Sequence, residues 1–156
     1  MVYESLRKKS MEVFLPKIKV SRRRRDRKIT LDVPLFPGYL FVKTDLKPVE
    51  HLEIKKTVGV VTLVGNSGGP VSVPDNAVTS LRIMTQSGQM IMTGTKLKAG
   101  AMVLITGGPF TGVEGILLRR KGKGRVVVNI NPLDQFAGVE IDMADIEVLP
   151  EIASKT

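Results

Sequence analysis

The sequence predicts an α+β domain with an antiparallel or mixed sheet, followed by a small all-β barrel. Helical and strand-like hydrophobic patterns are interspersed in the first part of the chain, whereas five short strand candidates follow one another without a helix beyond residue 100. A polar, glycine-containing stretch without a sustained period separates these two parts. We therefore assign 1–87 to the first domain, 88–98 to a linker and 99–151 to the second domain.

Apolar residues that alternate or form a β-branched run predict four strands in the first domain, over 11–20, 29–35, 38–43 and 58–64. The last of these strands is bounded by glycines and is expected to be buried. An amphipathic helix is predicted over 1–10. A short helix is predicted after Asp45, with Val49 and Leu52 facing inward. Another helix is predicted to begin at Pro74-Asp75.

The second domain has five predicted strands, over 102–105, 113–118, 125–130, 137–141 and 146–149. Glycine- and proline-containing turns separate them, at 107–109, 122–124 and 131–132. A small module made of short strands favours a closed or nearly closed barrel, because closure removes the exposed edges of a sheet.

Composition excludes several classes of protein. The 156 residues contain no cysteine, which excludes a disulfide framework, a thiolate metal site and a thiol nucleophile. No apolar run approaches the roughly 20 residues of a membrane span, and the first residues contain no apolar signal region. We expect a cytoplasmic protein with no membrane partner.

The net charge of +9 is unevenly distributed along the chain. Residues 1–92 carry 16 Lys and Arg against 8 Asp and Glu, whereas residues 93–156 carry 8 against 7. The first part is therefore expected to meet a polyanion or an acidic protein surface, and a basic loop that only aids solubility is the simpler alternative.

The densest basic segment spans 17–28, where eight Lys and Arg residues accompany one Asp. It is either a solvated hairpin tip or a contact with a phosphate backbone. No aromatic residue interrupts the run, so base stacking is not expected there. A second basic run, 119–125, is interpreted as a solvated turn.

The segment 34–42 (PLFPGYLFV) interrupts a strand with two prolines and a glycine. Proline removes a donor from the hydrogen-bond ladder and glycine weakens a strand, so this strand is predicted to lie at a sheet edge or to carry a bulge. Phe36 and Tyr39 at the break are expected to face a partner rather than a core.

Enzymatic chemistry has little support in the sequence. His51 is the sole histidine, is expected to be exposed, and has no companion ligands or nucleophile. The glycine-rich segment 107–115 leads into a strand and lacks the Lys-Ser/Thr pair of a phosphate-binding loop, so it is interpreted as a structural turn. We predict no catalytic residues, metal, cofactor or small-molecule substrate.

Two motifs together resemble the NusG/RfaH family of transcription elongation and antitermination factors. The segment 35–42 (LFPGYLFV) resembles the signature of the NusG amino-terminal domain. The segment 100–116, with GGPF at 107–110 and a following Val126-Val127-Val128 strand, is similar to a KOW domain, which is an SH3-like barrel. The similarity covers nearly the whole chain, with the motifs in the family's order and spacing.

The resemblance implies a factor that binds RNA polymerase and promotes processive transcription. It implies a specialised paralogue rather than the housekeeping protein of the family. It implies that the first domain, an α/β sandwich in this family, docks on the clamp helices of RNA polymerase through Phe36, Pro37 and Tyr39. It places the basic segment near upstream DNA or the non-template strand, with these residues as contacts: Arg22, Arg23, Arg24, Arg25, Arg27 and Lys28.

The resemblance also implies a second partner for the KOW domain, either Rho or a small-subunit ribosomal protein, at Leu133 and Phe136. The loop 131–138 departs from the housekeeping pattern. Family members usually begin with a Trp-Tyr-containing strand, whereas this chain begins inside the following helix, so we expect the true start to lie upstream of Met1. Without that strand, an open sheet or a borrowed strand is expected. A ribosomal or other RNA-binding KOW protein is the alternative.

Overall fold

The protein forms two compact units, Met1–Val71 and Ser72–Thr156. The computed structural model describes residues 2–66, 68–97, 100–120 and 123–150. Helices and antiparallel strands together confirm the predicted α+β class with a β-rich second half. None of the helices in this described part of the chain combines the length and apolarity needed to cross a membrane.

In its described residues, the first unit contains two helices and three antiparallel strand pairs. Its elements in chain order are α1 (Val2–Lys8), β1 (Glu12–Phe14), β2 (Lys17–Arg24), β3 (Arg27–Pro34), β4 (Phe41–Lys43), α2 (Pro48–Lys56), β5 (Gly65–Asn66) and β6 (Gly69–Pro70). Strand β1 pairs with β4, β2 with β3, and β5 with β6. The predicted strand 11–20 is therefore two strands, which belong to different pairs.

The core of the first unit is small and aliphatic, apart from one aromatic ring. Leu6 of α1 and Ile54 of α2 are buried together with Leu35 and Phe36, which follow β3. Val49 and Leu52 were expected to face inward, but their side chains are 74% and 58% exposed. That expectation is wrong because α2 buries Ile54 instead, on a different face of the helix.

Two other expectations for this unit are also wrong. The stretch 58–64 has no strand, and Val58 and Val61 are 89% and 96% exposed. A β-branched run forms a strand when it has a neighbour to pair with, whereas here the chain turns at Gly59, whose φ is +96°. His51 is half-buried on α2 rather than exposed.

Lys9 ties the end of α1 to the end of α2. Its Nζ donates to the Glu53 carbonyl oxygen and to Thr57 Oγ1, both at 3.0 Å. The same Nζ lies 3.3 Å from Glu53 Oε2. A lysine here satisfies a carbonyl of the last helical turn and complements the negative end of the helix dipole.

Replacing Lys9 with Met should lower the free energy of unfolding by about 1 kcal/mol, because it removes these donors and keeps the aliphatic stem. The estimate is modest because the Lys9 side chain is 31% exposed and solvent screens its ion pair. Chemical denaturation of the full chain measures the change. Lys8→Met is the matched control, since Lys8 is an exposed neighbour of equal charge. An equal effect of both substitutions would contradict the proposed link between the helices.

The part of the second unit that the structure describes contains one α-helix and an antiparallel sheet of six strands. Its elements are α3 (Asp75–Gln86), β7 (Met92–Thr95), β8 (Ala101–Ile105), β9 (Glu114–Arg120), β10 (Lys123–Ile130), a 3₁₀ helix (Asn131–Leu133), β11 (Gln135–Ile141), a second 3₁₀ helix (Met143–Asp145) and β12 (Ile146–Val148). The strand order is β12-β8-β9-β10-β11-β7. Five of these strands correspond to the five predicted ones.

Strand β10 is at the centre of the second core. Val126, Val127 and Val128 are all buried, so both faces of this strand are covered. Helix α3 packs against β9 and β10 and buries Leu81 and Met84. The Ser80 hydroxyl accepts from the Glu114 backbone N–H at 3.1 Å, which fixes the helix to the start of β9.

The structure groups α3 with the second unit and places a strand, β7, inside the predicted linker 88–98. Strand β7 pairs with β11. Its four residues, MTGT, contain no long apolar side chain except Met92, so the sequence pattern gives little sign of a strand. The domain boundaries at 87 and 99 stay predictions.

Candidate functional site

The β2–β3 hairpin carries the basic segment of the first unit. Eight residues in each strand pair in register from Lys17↔Pro34 to Arg24↔Arg27, which gives a ribbon roughly 27 Å long. Ile18 pairs with Val33 near the base, and both are half-buried. The apolar base anchors the hairpin, and the charged part extends away from that base. The expected hairpin tip is present, and strand pairing extends through most of the predicted connector.

Positive charge covers both faces of the hairpin tip. Arg24 lies opposite Arg27 and Arg23 lies opposite Lys28, so two cross-strand pairs join like charges. Like charges directly opposite each other destabilise a strand pair. All six candidate contacts are exposed, and none of them forms an ion pair with another residue that the structure describes. The folded chain itself gains no stability from this arrangement, which favours an external polyanion as the reason for it.

The turn at the end of this hairpin also departs from what stability favours. Arg25 has a φ of +55°, a left-handed conformation in which glycine or asparagine is usual at a two-residue hairpin turn. An arginine there places another positive charge at the outermost point of the ribbon. This choice of residue agrees with a contact function for the tip.

A second candidate surface follows β3, at the interrupted strand. The Tyr39 backbone N–H donates to the Phe36 carbonyl at 3.1 Å and closes a turn over 36–39. Pro37 and Gly38 occupy the two central positions, and Gly38 has a φ of +86°. This combination suits a type II turn, in which proline is favoured second and a positive φ is required third. A Cβ on Gly38 would meet open space, so the backbone conformation and not crowding requires glycine.

The turn separates the predicted docking residues. Pro37 and Tyr39 are exposed, and the Tyr39 side chain is 38% accessible. Phe36 is 1% exposed, so the expectation that its ring faces a partner is not met. The break in the strand directs Leu35 and Phe36 into the core before the turn brings Pro37 and Tyr39 to the surface. Sequence periodicity could not show which side of the break faces inward.

The next strand continues from this turn and is held by an aromatic pair. Strand β4 places Phe41 opposite Phe14 of β1, with the ring centroids 5.9 Å apart. Such tilted aromatic pairs stabilise a two-stranded sheet beyond the area they bury. The pair supports the chain directly after Tyr39.

The predicted second-partner residues lie in the second unit. Leu133 ends the first 3₁₀ helix, Phe136 is the second residue of β11, and both residues are half-buried. Phe136 pairs with Gly94 of β7, where a Cβ would lie 2.7 Å from two atoms of the Phe136 ring. The ring therefore lies against the β7 backbone.

The two remaining motifs are structural elements of the second unit. The β9–β10 hairpin contains Arg119 and Lys123. Arg125 of β10 forms an ion pair with Glu140 of β11, with 3.7 Å between Arg125 Nη2 and Glu140 Oε1. Residues 121 and 122 of the predicted basic turn 119–125 lie outside the described residues. The glycine-rich segment 107–115 is a loop closed by the Thr111 N–H and hydroxyl, which both donate to the Gly108 carbonyl at 3.2 and 2.7 Å.

Together these features define a two-unit protein: the first unit presents a cationic hairpin and an exposed aromatic turn, and the second is β-rich and carries a half-buried Phe136 on β11. A family model described as transcription termination factor nusG matches residues 1–82. This match includes the basic hairpin and the turn at 36–39. The chain belongs to the NusG family.

Similar proteins from several bacteria carry the same description. A transcription termination/antitermination protein NusG of Borreliella burgdorferi is 30% identical over 149 residues, which span 88% of this chain and 80% of that protein. A protein of the same name from Deinococcus radiodurans is 28% identical over 137 residues, 77% of this chain and 71% of that protein. One from Treponema pallidum is 29% identical over 126 residues, 73% and 67% respectively.

Proposed function

We propose that this chain is a transcription elongation and antitermination factor that binds RNA polymerase and promotes processive transcription. The family membership supports this role. The single structural observation that carries the proposal is the β2–β3 hairpin, whose tip holds like charges opposite each other with no compensating acidic partners among the described residues. The phosphates of a nearby nucleic acid would neutralise these charges, which explains why the hairpin carries them. The role requires binding and no catalytic chemistry.

The proposed polymerase contact is the exposed turn at Pro37 and Tyr39. A tyrosine offers a large apolar ring with a polar tip and few rotatable bonds, which makes it a frequent anchor of protein interfaces. Its proposed site is the clamp-helix coiled coil of the polymerase. Phe36 supports this contact from inside the unit, because its buried ring holds the start of the turn.

The proposed nucleic-acid contact is the tip of the basic hairpin. Its arginines and lysine would meet the phosphates of upstream DNA or of the exposed non-template strand. Arginine suits such sites because its guanidinium donates to phosphate oxygens in a bidentate manner. Contacts of this kind position the factor and carry no direct reading of base sequence.

The proposed role of the second unit is to recruit another protein, Rho or a small-subunit ribosomal protein, through Leu133 and Phe136. Both residues lie where β10 passes into β11, and both are half-buried rather than fully enclosed. An apolar pair at the margin of a sheet can bind a partner without disrupting the core.

The alternative of a ribosomal or other RNA-binding KOW protein is not favoured. Such a protein needs the β-rich unit and has no use for the α+β unit with its basic hairpin and turn. The family match lies on residues 1–82, which contain both of these features.

The proposal is tested by assembling transcription elongation complexes with RNA polymerase from the organism that encodes the chain. The full chain should co-purify with the complexes and change the time that they spend at pause sites. Recovery of polymerase equal to that with an unrelated basic protein of the same net charge would reject the proposal. This control is needed because a charge of +9 binds nucleic acid without specificity.

A further inference from the structure

Strand β7 covers an edge of β11 that carries the predicted second-partner residue. Four register pairs join the two strands, from Gln135↔Thr95 to Gly138↔Met92. On its other side β11 pairs with β10 over seven positions. We call residues 92–97 the edge segment. It lies at one end of the strand order and is joined to the sheet by the shorter of the two pairings.

The edge segment contributes little to the core. Thr93 and Thr95 are exposed, and Met92 and Gly94 are half-buried. Gly94 has no side chain to pack, and glycine inside a strand weakens it. Met90, just before the segment, is 82% exposed. A strand with this composition gains little from side-chain burial and is held by backbone hydrogen bonds and a few polar contacts, so another strand can replace it without opening the core.

Four polar contacts at its far end hold the segment in place, and one of them is the ion pair between Lys96 Nζ and Asp134 Oδ1 at 3.5 Å. The side-chain amide of Asn129 donates to the Leu97 carbonyl at 2.7 Å and accepts from the Leu97 N–H at 3.0 Å. The Lys96 N–H donates to the Asp134 carbonyl at 3.0 Å. Asn129 thus binds the backbone of the segment as a neighbouring strand would. Both of its hydrogen bonds go to main-chain atoms of Leu97, so they do not depend on which side chain stands at position 97.

The strand register determines which residue of a neighbouring strand lies opposite Phe136 of β11. Gly94 faces Phe136, and a Cβ there would approach two ring atoms to 2.7 Å. A strand with a larger residue at this position must displace the ring or stay unpaired. Glycine opposite Phe136 therefore lets an extended backbone pair with β11 while the ring keeps its position, whereas a larger residue has to move the ring.

We propose that β11 is a strand-binding edge, that the edge segment occupies it within the free chain, and that the partner of the second unit is an extended protein segment that replaces it with a glycine facing Phe136. This inference rests on the proposed role of Phe136 in recruiting a second protein. Main-chain hydrogen bonds supply affinity in this mode of recognition, and the residue opposite the ring supplies specificity. The tethered segment competes at a high effective concentration, so a partner binds weakly until the segment is released.

The test uses a labelled peptide with the sequence of residues 90–97 and measures its binding to the full chain by fluorescence anisotropy. Gly94→Val in the chain should weaken its own edge segment and lower the peptide Kd at least about tenfold relative to wild type. Thr93→Val is the matched control, because it introduces the same residue, valine, at the exposed neighbouring position. It should leave the peptide Kd unchanged.

A second peptide, with valine in place of Gly94, should bind each chain more weakly than the first peptide, because it has to move the Phe136 ring. Equal binding of the first peptide to wild type and to the Gly94→Val chain would overturn the proposal, and so would equal binding of the two peptides. A Gly94→Val chain that dimerises and leaves the peptide unbound would assign the edge to a second copy and also overturn it.

Hydrogen exchange on the wild-type chain tests the same proposal without a substitution. The amides of 93–97 should exchange at least about tenfold faster than those of Val126–Val128, because opening the edge leaves the core intact. Equal protection would reject an exchangeable segment. Polymerase is absent from both experiments, so a failure of polymerase docking leaves their outcome unchanged. If the full chain binds the peptide but binds neither Rho nor the ribosomal protein, β11 is still a strand-binding edge and those two partners are rejected.

Discussion

Replacing the four consecutive arginines 22–25 with glutamine should weaken binding to transcription elongation complexes and should not destabilise the fold. Each phosphate contact that is lost lowers the slope of log affinity against log salt by about 0.7–0.9. If all four arginines meet phosphates, the slope should fall by about 3–4. Reducing the salt from about 200 to 50 mM would then strengthen wild-type binding roughly a hundredfold more than binding of the variant. Titrations of labelled complexes at several salt concentrations measure both quantities.

The same substitutions should leave the midpoint of thermal unfolding unchanged or raise it. They remove the repulsion in the pairs Arg23↔Lys28 and Arg24↔Arg27 while keeping side chains of similar length. A fall in affinity together with a rise in stability identifies residues that are retained for binding.

A control variant with the same loss of charge separates a local contact from a general electrostatic effect. It replaces four exposed lysines outside the hairpin in the same unit, Lys43, Lys47, Lys55 and Lys56. Its salt slope should stay close to wild type. If the two variants lose equal affinity and equal slope, the hairpin has no special role and net charge alone explains the binding.

The β-rich second half was well predicted because its signals are local. Glycines and prolines mark the turns, and apolar runs between them correspond to β8 to β12. The missed strand, β7, depends on distant residues, since its pairing partner β11 and its clamp Asn129 lie more than 30 positions away along the chain. Local propensity carries no information about such partners.

The candidate site of the first unit was predicted in part. The basic tip follows directly from the charge run, because so many cations in one segment cannot be buried. The interrupted strand was also identified, yet its two aromatic residues proved to have opposite environments, with Phe36 buried and Tyr39 exposed. Which residue faces inward is decided by the positive φ of Gly38 and by the core that receives Phe36, and neither is visible in periodicity.

This difference between the two aromatic residues leads to opposite expectations for their alanine variants. Tyr39→Ala should lower the free energy of unfolding by only about 1 kcal/mol, because Tyr39 is 38% exposed and loses only part of its apolar burial. It should raise the Kd for RNA polymerase about tenfold to thirtyfold, as expected when an aromatic anchor of an interface is lost. Phe36→Ala should lower the free energy of unfolding by about 3–5 kcal/mol, because it leaves a cavity where a fully buried ring was.

Binding to the polymerase and denaturation must therefore be measured on each single variant, since a double variant would mix a lost contact with a lost fold. Leu52→Ala is the control for removal of exposed apolar surface, because Leu52 is 58% exposed on α2 of the same unit. It should change neither quantity appreciably. Tyr39→Phe should retain most of the affinity if the ring is the anchor. Unchanged affinity of Tyr39→Ala, with Phe36→Ala unstable as expected, would confine the turn to a structural role and remove it from the docking surface.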